Sequence, residues 1–120
     1  MNDDMDWEST ARRHAALASP VRLRILHWLL DPRPHFPPQR DGDLVADGVC
    51  VGFITDKTGL SQPTVSAHMK KLSEAGLVRG KRIGNWIFYK PERDAIRQIG
   101  GLLGAQAGSR PHENRNDQTG

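Results

Sequence analysis

The chain has 120 residues, 37% of them hydrophobic and 26% charged, with a formal net charge of +3 and a single cysteine. That length supports one domain with a modest core, and the composition is that of a soluble globular protein, with no apolar run near the roughly 18 residues of a membrane-spanning helix. One cysteine excludes an intrachain disulfide, and the acidic opening MNDDMDWEST lacks the basic-then-apolar order of a secretion signal, so a cytoplasmic protein in a reducing compartment is expected.

From about Asp6 to Ala18, Trp7, Ala11, His14, Ala15 and Ala18 recur at helical spacings and predict a first helix poor in large apolar groups. Ser19-Pro20 then reads as an N-cap followed by proline at the first helical position, where its missing N–H costs nothing. A second helix is expected over about 20–30, because Leu26, Trp28, Leu29 and Leu30 carry the apolar positions beyond a strand-like period of two. The segment DPRPHFPPQRDGDLVAD, residues 31–47, holds four prolines and several turn formers, so it is expected as a long inserted loop.

A short helix is predicted between Val49 and Thr58, stopped by Gly59. Ser61 caps the next, about Ser61 to Ala75, with Pro63 in its first turn and Val65, Met69 and Leu72 at i, i+4 and i+7. Gly76 ends it. LVRGKRIGNWIFYK shows two strand-like runs, Leu77 to Arg82 and Trp86 to Lys90, about a turn containing Gly84-Asn85, and predicts a hairpin. Pro91 is expected to start a last amphipathic helix bearing Ile96, Ile99, Leu102 and Leu103, and residues 106–120 have the composition of a disordered tail after a domain spanning 1–105.

Two short helices joined through KTGLSQ form a helix-turn-helix, whose second helix can enter the major groove of DNA. Val65, Met69 and Leu72 would hold that helix to the core. Its other side offers Ser61, Gln62, Thr64, Ser66, His68 and Lys71, short hydrogen-bonding groups for base edges together with a cation for phosphate. Lys81, Arg82 and Asn85 near the hairpin tip would form a wing against the DNA backbone or minor groove. Charge agrees. From Ser61 to Lys90 six cations face Glu74 alone, a net +5, whereas the rest of the chain sums to −2.

ALASPVRLRIL, GLSQPTVSAHMKKLSEAGLV and RGKRIGNWIFYK, in that order, resemble the ArsR/SmtB family of winged-helix repressors over roughly Ala15 to Leu103. The resemblance implies an α-rich (α+β) winged helix-turn-helix with a two-stranded hairpin wing, and a homodimer formed by the first and last helices. It further implies repression at a near-palindromic operator until an effector, here unidentified, releases the protein. Ile96, Ile99, Leu102 and Leu103 are the candidate dimer residues. No cofactor is expected.

Cysteine breaks the family pattern. Metal-sensing members resemble CVC in the helix before the turn, whereas this chain reads Cys50-Val51-Gly52, and one thiolate does not complete a tetrahedral or trigonal site. Help from His35, Asp41, Asp43 or Asp47 would be needed, and a buried structural cysteine or a redox-reactive thiol are the alternatives. In the last helix the family's Asp-x-His has become Asp94-Ala95-Ile96, and His112-Glu113 lies in the expected tail. No metal site is therefore assigned. Trp28, Trp86 and Phe88 read as packing aromatics. A winged-helix protein-interaction module without sequence-specific DNA binding is the competing function, and no triad, phosphate loop or paired-carboxylate motif supports an enzyme.

Overall fold

The computed structural model describes residues 6–108. Five helices and three strands follow in the order α1 (Trp7–Leu17), α2 (Pro20–Leu30), β1 (Val49–Cys50), α3 (Val51–Thr58), α4 (Gln62–Glu74), β2 (Val78–Ile83), β3 (Trp86–Pro91) and α5 (Arg93–Ala107). The expected tail begins inside α5, and its part beyond residue 108 lies outside the described residues.

Local chemistry sets these limits. The Asp6 carboxylate accepts the Ser9 N–H at the start of α1, and the Ser19 hydroxyl accepts the Arg22 N–H at the start of α2, each satisfying a donor that a helix leaves free in its first turn. At the end of α4 the N–H groups of Leu77 and Gly76 donate to the carbonyls of Leu72 and Ser73, with Gly76 at φ +74°. This is the paired closure that a left-handed residue after a helix permits, and the apolar contact that accompanies it comes from Leu72 and Leu77, both fully buried.

The antiparallel sheet has the order β1-β3-β2. The hairpin pairs Val78 with Pro91 through to Ile83 with Trp86, about the two-residue turn Gly84-Asn85 with Gly84 at φ +60°, as a type II′ turn requires at its first central position. Two features depart from the sequence reading. A third strand, β1, joins the hairpin through Val49↔Tyr89 and Cys50↔Phe88; two residues are too short to show any alternation. Pro91 closes β3, and Glu92 occupies the N-cap of α5. Proline is tolerated there because β1 reaches only as far as Tyr89, so one side of β3 is unpaired at Pro91.

Ile25 and Leu29 of α2, Ile54 of α3, and Val65, Met69 and Leu72 of α4 meet at the centre with Val49 and Leu77, each at most 2% exposed. Burial of each such side chain contributes about 1.5–3 kcal/mol, so the helix-turn-helix is fastened by its own apolar stripe. The 31–47 segment has no helix or strand but is not a free spacer. Phe36 and Leu44 enter the core, with Phe36 edge-on to Trp28. Gln39 spans the loop base, accepting the Cys50 N–H at 2.7 Å and donating to the carbonyl oxygen of Gly48 at 3.0 Å.

Candidate nucleic-acid interface

α3 and α4 are separated by Gly59, Leu60 and Ser61. Gly59 turns the chain at φ +74°, the Thr58 hydroxyl accepts the Leu60 N–H, and the Ser61 hydroxyl accepts the Thr64 N–H at 3.3 Å while donating to the Thr64 hydroxyl at 2.8 Å. Ser61 thus serves first as a cap. With Val65, Met69 and Leu72 wholly buried, α4 turns Gln62, Thr64, Ser66, Lys70 and Lys71 outward. Gln62 and Ser66, one turn apart in the first half of the helix, are exposed with no protein partner among the described residues, so their donors and acceptors are open to a ligand.

His68 differs from the expected exposed residue. It is half-buried, its Nδ1 lies 3.0 Å from a terminal guanidinium nitrogen of Arg22, and its pKa is lowered by burial first and by the charges of Arg22 and Lys71 next. The sequence reading did not include Arg22, because its 46-residue separation from His68 leaves no local signal.

The wing separates the two cations expected to act together. Neighbours on a strand point to opposite faces. Lys81 shares its face with Phe88 and is drawn to the inserted loop, where its Nζ meets the Asp47 carboxylate at 2.8 Å. This hydrogen bond, with that from the Asp43 N–H, holds the Asp47 carboxyl below the ordinary range. Lys90 donates to the carbonyl oxygen of Ala46 in the same turn, and Arg79 pairs with Glu92 at 3.5 Å. Arg82 lies on the opposite face, exposed and without an ion pair among the described residues, and Asn85 is exposed at the tip. Arg82 is therefore the open wing cation and Lys81 a braced one. Asp47 carried no signal of this in the sequence, since the pairing joins a loop to a strand 34 residues away.

The other candidates sit as follows. Cys50 is half-buried at the N-cap of α3. His35 lies against the His27 ring, and Asp43 caps the N–H groups of Val45 and Ala46 and faces Arg33 at 3.6 Å. Among the described residues no three His, Cys, Asp or Glu side chains are grouped to hold a metal ion, and His112-Glu113 lies outside those residues. Of the apolar stripe on α5, Ile99 is buried, Ile96 packs on the protomer's own core, Leu102 is half-buried and Leu103 is 61% exposed. Trp28 and Phe88 are core aromatics, whereas Trp86 is largely exposed beside Gly52. No helix among the described residues is long and apolar enough to cross a membrane.

The profile of bacterial regulatory proteins of the arsR family matches residues 48–79, which span β1, α3, α4 and the start of β2. The uncharacterized HTH-type transcriptional regulator YbzH of Bacillus subtilis is 41% identical over 88 residues, covering 73% of this chain and 88% of that protein. The chain belongs to the ArsR family of transcriptional regulators. Among solved structures, NolR from Sinorhizobium fredii is 28% identical, with a TM-score of 0.57 over 92% of this chain and 97% of its own. The homodimeric winged helix-turn-helix DNA-binding domain from Mycobacterium bovis shares the fold with a TM-score of 0.61 at 24% identity, over the whole of both chains. As an ArsR-family regulator with a winged helix-turn-helix DNA-binding domain, the protein is not an enzyme.

Proposed function

We propose that this ArsR-family regulator is a dimeric repressor that binds a near-palindromic operator in double-stranded DNA and is released by an effector. Gln62 and Ser66, with Thr64 beside them, read base edges in the major groove, while Arg82, Asn85 and Lys71 meet the DNA backbone. The observation that carries this reading is the two-sided character of α4: one face is locked into the core and the other presents uncommitted polar groups within the segment of net +5.

Dimerisation is supported by the apolar groups that one protomer leaves uncovered at its terminal helices, Trp7 on α1 and Leu103 on α5, and by the homodimeric state named for the Mycobacterium bovis neighbour. Gly100, Gly101 and Gly104 on α5 have open space where a side chain would be. Glycine weakens a helix by roughly 1 kcal/mol relative to alanine, a cost that close approach of a second helix offsets. Ile96 and Ile99 support this surface from beneath. Selection of bound sequences from genomic DNA, followed by salt-dependent titration, tests the proposal. Recovery of a two-fold symmetric site bound by two chains is expected; absence of any preferred sequence would refute operator recognition.

A further inference from the structure

His68 lies further along α4 than Gln62, Thr64 and Ser66, past the first turns in which a recognition helix meets base edges. Arg22 of α2 holds it from behind. One terminal nitrogen of the guanidinium is 3.0 Å from His68 Nδ1, and its Nε donates to the carbonyl oxygen of Ala16 in the last turn of α1 at 2.6 Å. A guanidinium has donors and no acceptor. Nδ1 must therefore accept, the imidazole is neutral, and its remaining proton is on Nε2.

That Nε2 has no protein partner among the described residues, and it is not sealed off, because among those residues the buried side-chain nitrogen or oxygen without a partner is Nε of Arg13. A donor of fixed tautomer thus faces solvent beside α4. Its surroundings are cationic. Lys71 follows one turn later, and its charge and that of Arg22 act on the ring; the same two cations, with Arg12, line a shallow depression of about 210 Å³ among α1, α2 and α4, with Glu74 its one carboxylate. None of these three cations forms an ion pair among the described residues. Donors and uncompensated positive charge, with no acceptor turned outward from the ring, suit a phosphate oxygen better than a base edge, which offers donors as well as acceptors.

We infer that Arg22 fixes His68 as a neutral Nε2–H donor to a DNA phosphate, beside Lys71, forming an anchor that sets the register of α4 while its first turns read bases. The inference rests on the DNA-binding reading above and gives His68, which the sequence groups with the base-edge residues of α4, a holding role instead. Arg22 acts as a positioning residue.

A neutral donor displaces no counterion. His68→Phe, which keeps the ring and removes the donor, should weaken operator and scrambled DNA alike by roughly tenfold or more, with an unchanged slope of log affinity against log salt. Lys71→Ala should flatten that slope by about 0.9. His68→Gln keeps an N–H near the position of Nε2 and should recover most of the lost affinity. Nitrogen-15 spectra of the imidazole in the unaltered protein should show Nε2 protonated and Nδ1 not, and Arg22→Met should give a mixture of tautomers. A protonated Nδ1 in the unaltered protein would overturn the inference without any variant. So would His68→Phe binding as tightly as the parent, losing operator preference alone, or binding as well as His68→Gln. If the parent protein shows no salt-dependent DNA binding, the DNA-binding reading falls with it; if Gln62→Ala shifts base preference while His68→Phe changes nothing, only the phosphate anchor falls.

Discussion

Replacing Gly48 with alanine tests how the inserted loop is joined to the wing. Gly48 has φ +102°, and a Cβ there would lie 2.5 Å from the carbonyl oxygen of Tyr89 and 2.7 Å from its carbonyl carbon, both backbone atoms of the central strand β3. Gly59 provides the contrast: its φ is +74°, but nothing lies within 4 Å of a Cβ built on it. Gly59→Ala should thus cost only the left-handed backbone penalty, about 1–2 kcal/mol. Gly48→Ala adds an overpacking term of about 1–3 kcal/mol, because β3 is held on both sides and cannot withdraw. A loss of about 2–5 kcal/mol follows, a large share of the 5–15 kcal/mol typical of a domain, and the weakened contact is the one that seats β1 and the loop against the wing. Urea unfolding of both variants, read as a shift in midpoint at unchanged slope, measures the difference. Equal destabilisation by the two substitutions would refute the reasoning.

Asp47→Asn should free Lys81 from its 2.8 Å ion pair, raise affinity for DNA of any sequence and steepen the salt dependence by about one counterion; a double variant with Lys81→Ala, titrated in parallel, should lose both gains. The lowered pKa of His68 means that the unfolded chain binds a proton more readily than the folded one. Stability contributed by neutral His68 is then complete above the unfolded value near 6.5 and is lost as pH falls below it toward the folded value, so thermal melts from pH 7 to 5.5 should fall less steeply for His68→Gln than for the parent. Leu103→Asp places a charge on a leucine 61% exposed in the protomer, so sedimentation should show a folded monomer with weakened operator binding, whereas an unchanged dimer would remove Leu103 from the interface.

Much of the fold is legible wherever a local signal and an apolar period agree. Ser19-Pro20 ahead of Leu26 and Leu29, Ser61 ahead of Val65, Met69 and Leu72, and Gly84-Asn85 between two strand-like runs each combine a cap or turn residue with a stripe, and the structure keeps all three. Elements defined by a partner are not legible. β1 exists because Val49 and Cys50 lie beside β3, and Pro91, with the local chemistry of a helix start, is claimed by the end of β3 through its pairing with Val78. Four prolines make 31–47 read as a long inserted loop, with no period to mark Phe36 and Leu44 as the residues that enter the core. The candidate interface divides in the same way. Exposure of Gln62 and Ser66 follows from helical period alone, whereas the recruitment of His68 by Arg22 and of Lys81 by Asp47 depends on contacts between distant segments.

The most direct test of the account titrates the parent protein, Gln62→Ala and Arg82→Ala against a selected operator and a scrambled duplex at several salt concentrations. If α4 reads bases and the open face of the wing holds phosphate, Gln62→Ala should lose about 1–3 kcal/mol of preference at particular operator positions while leaving scrambled DNA nearly unaffected. Arg82→Ala should weaken both duplexes equally and flatten the salt dependence by about one counterion. Uniform loss from Gln62→Ala, with loss of operator preference alone from Arg82→Ala, would contradict the assignment of reading to the helix and holding to the wing.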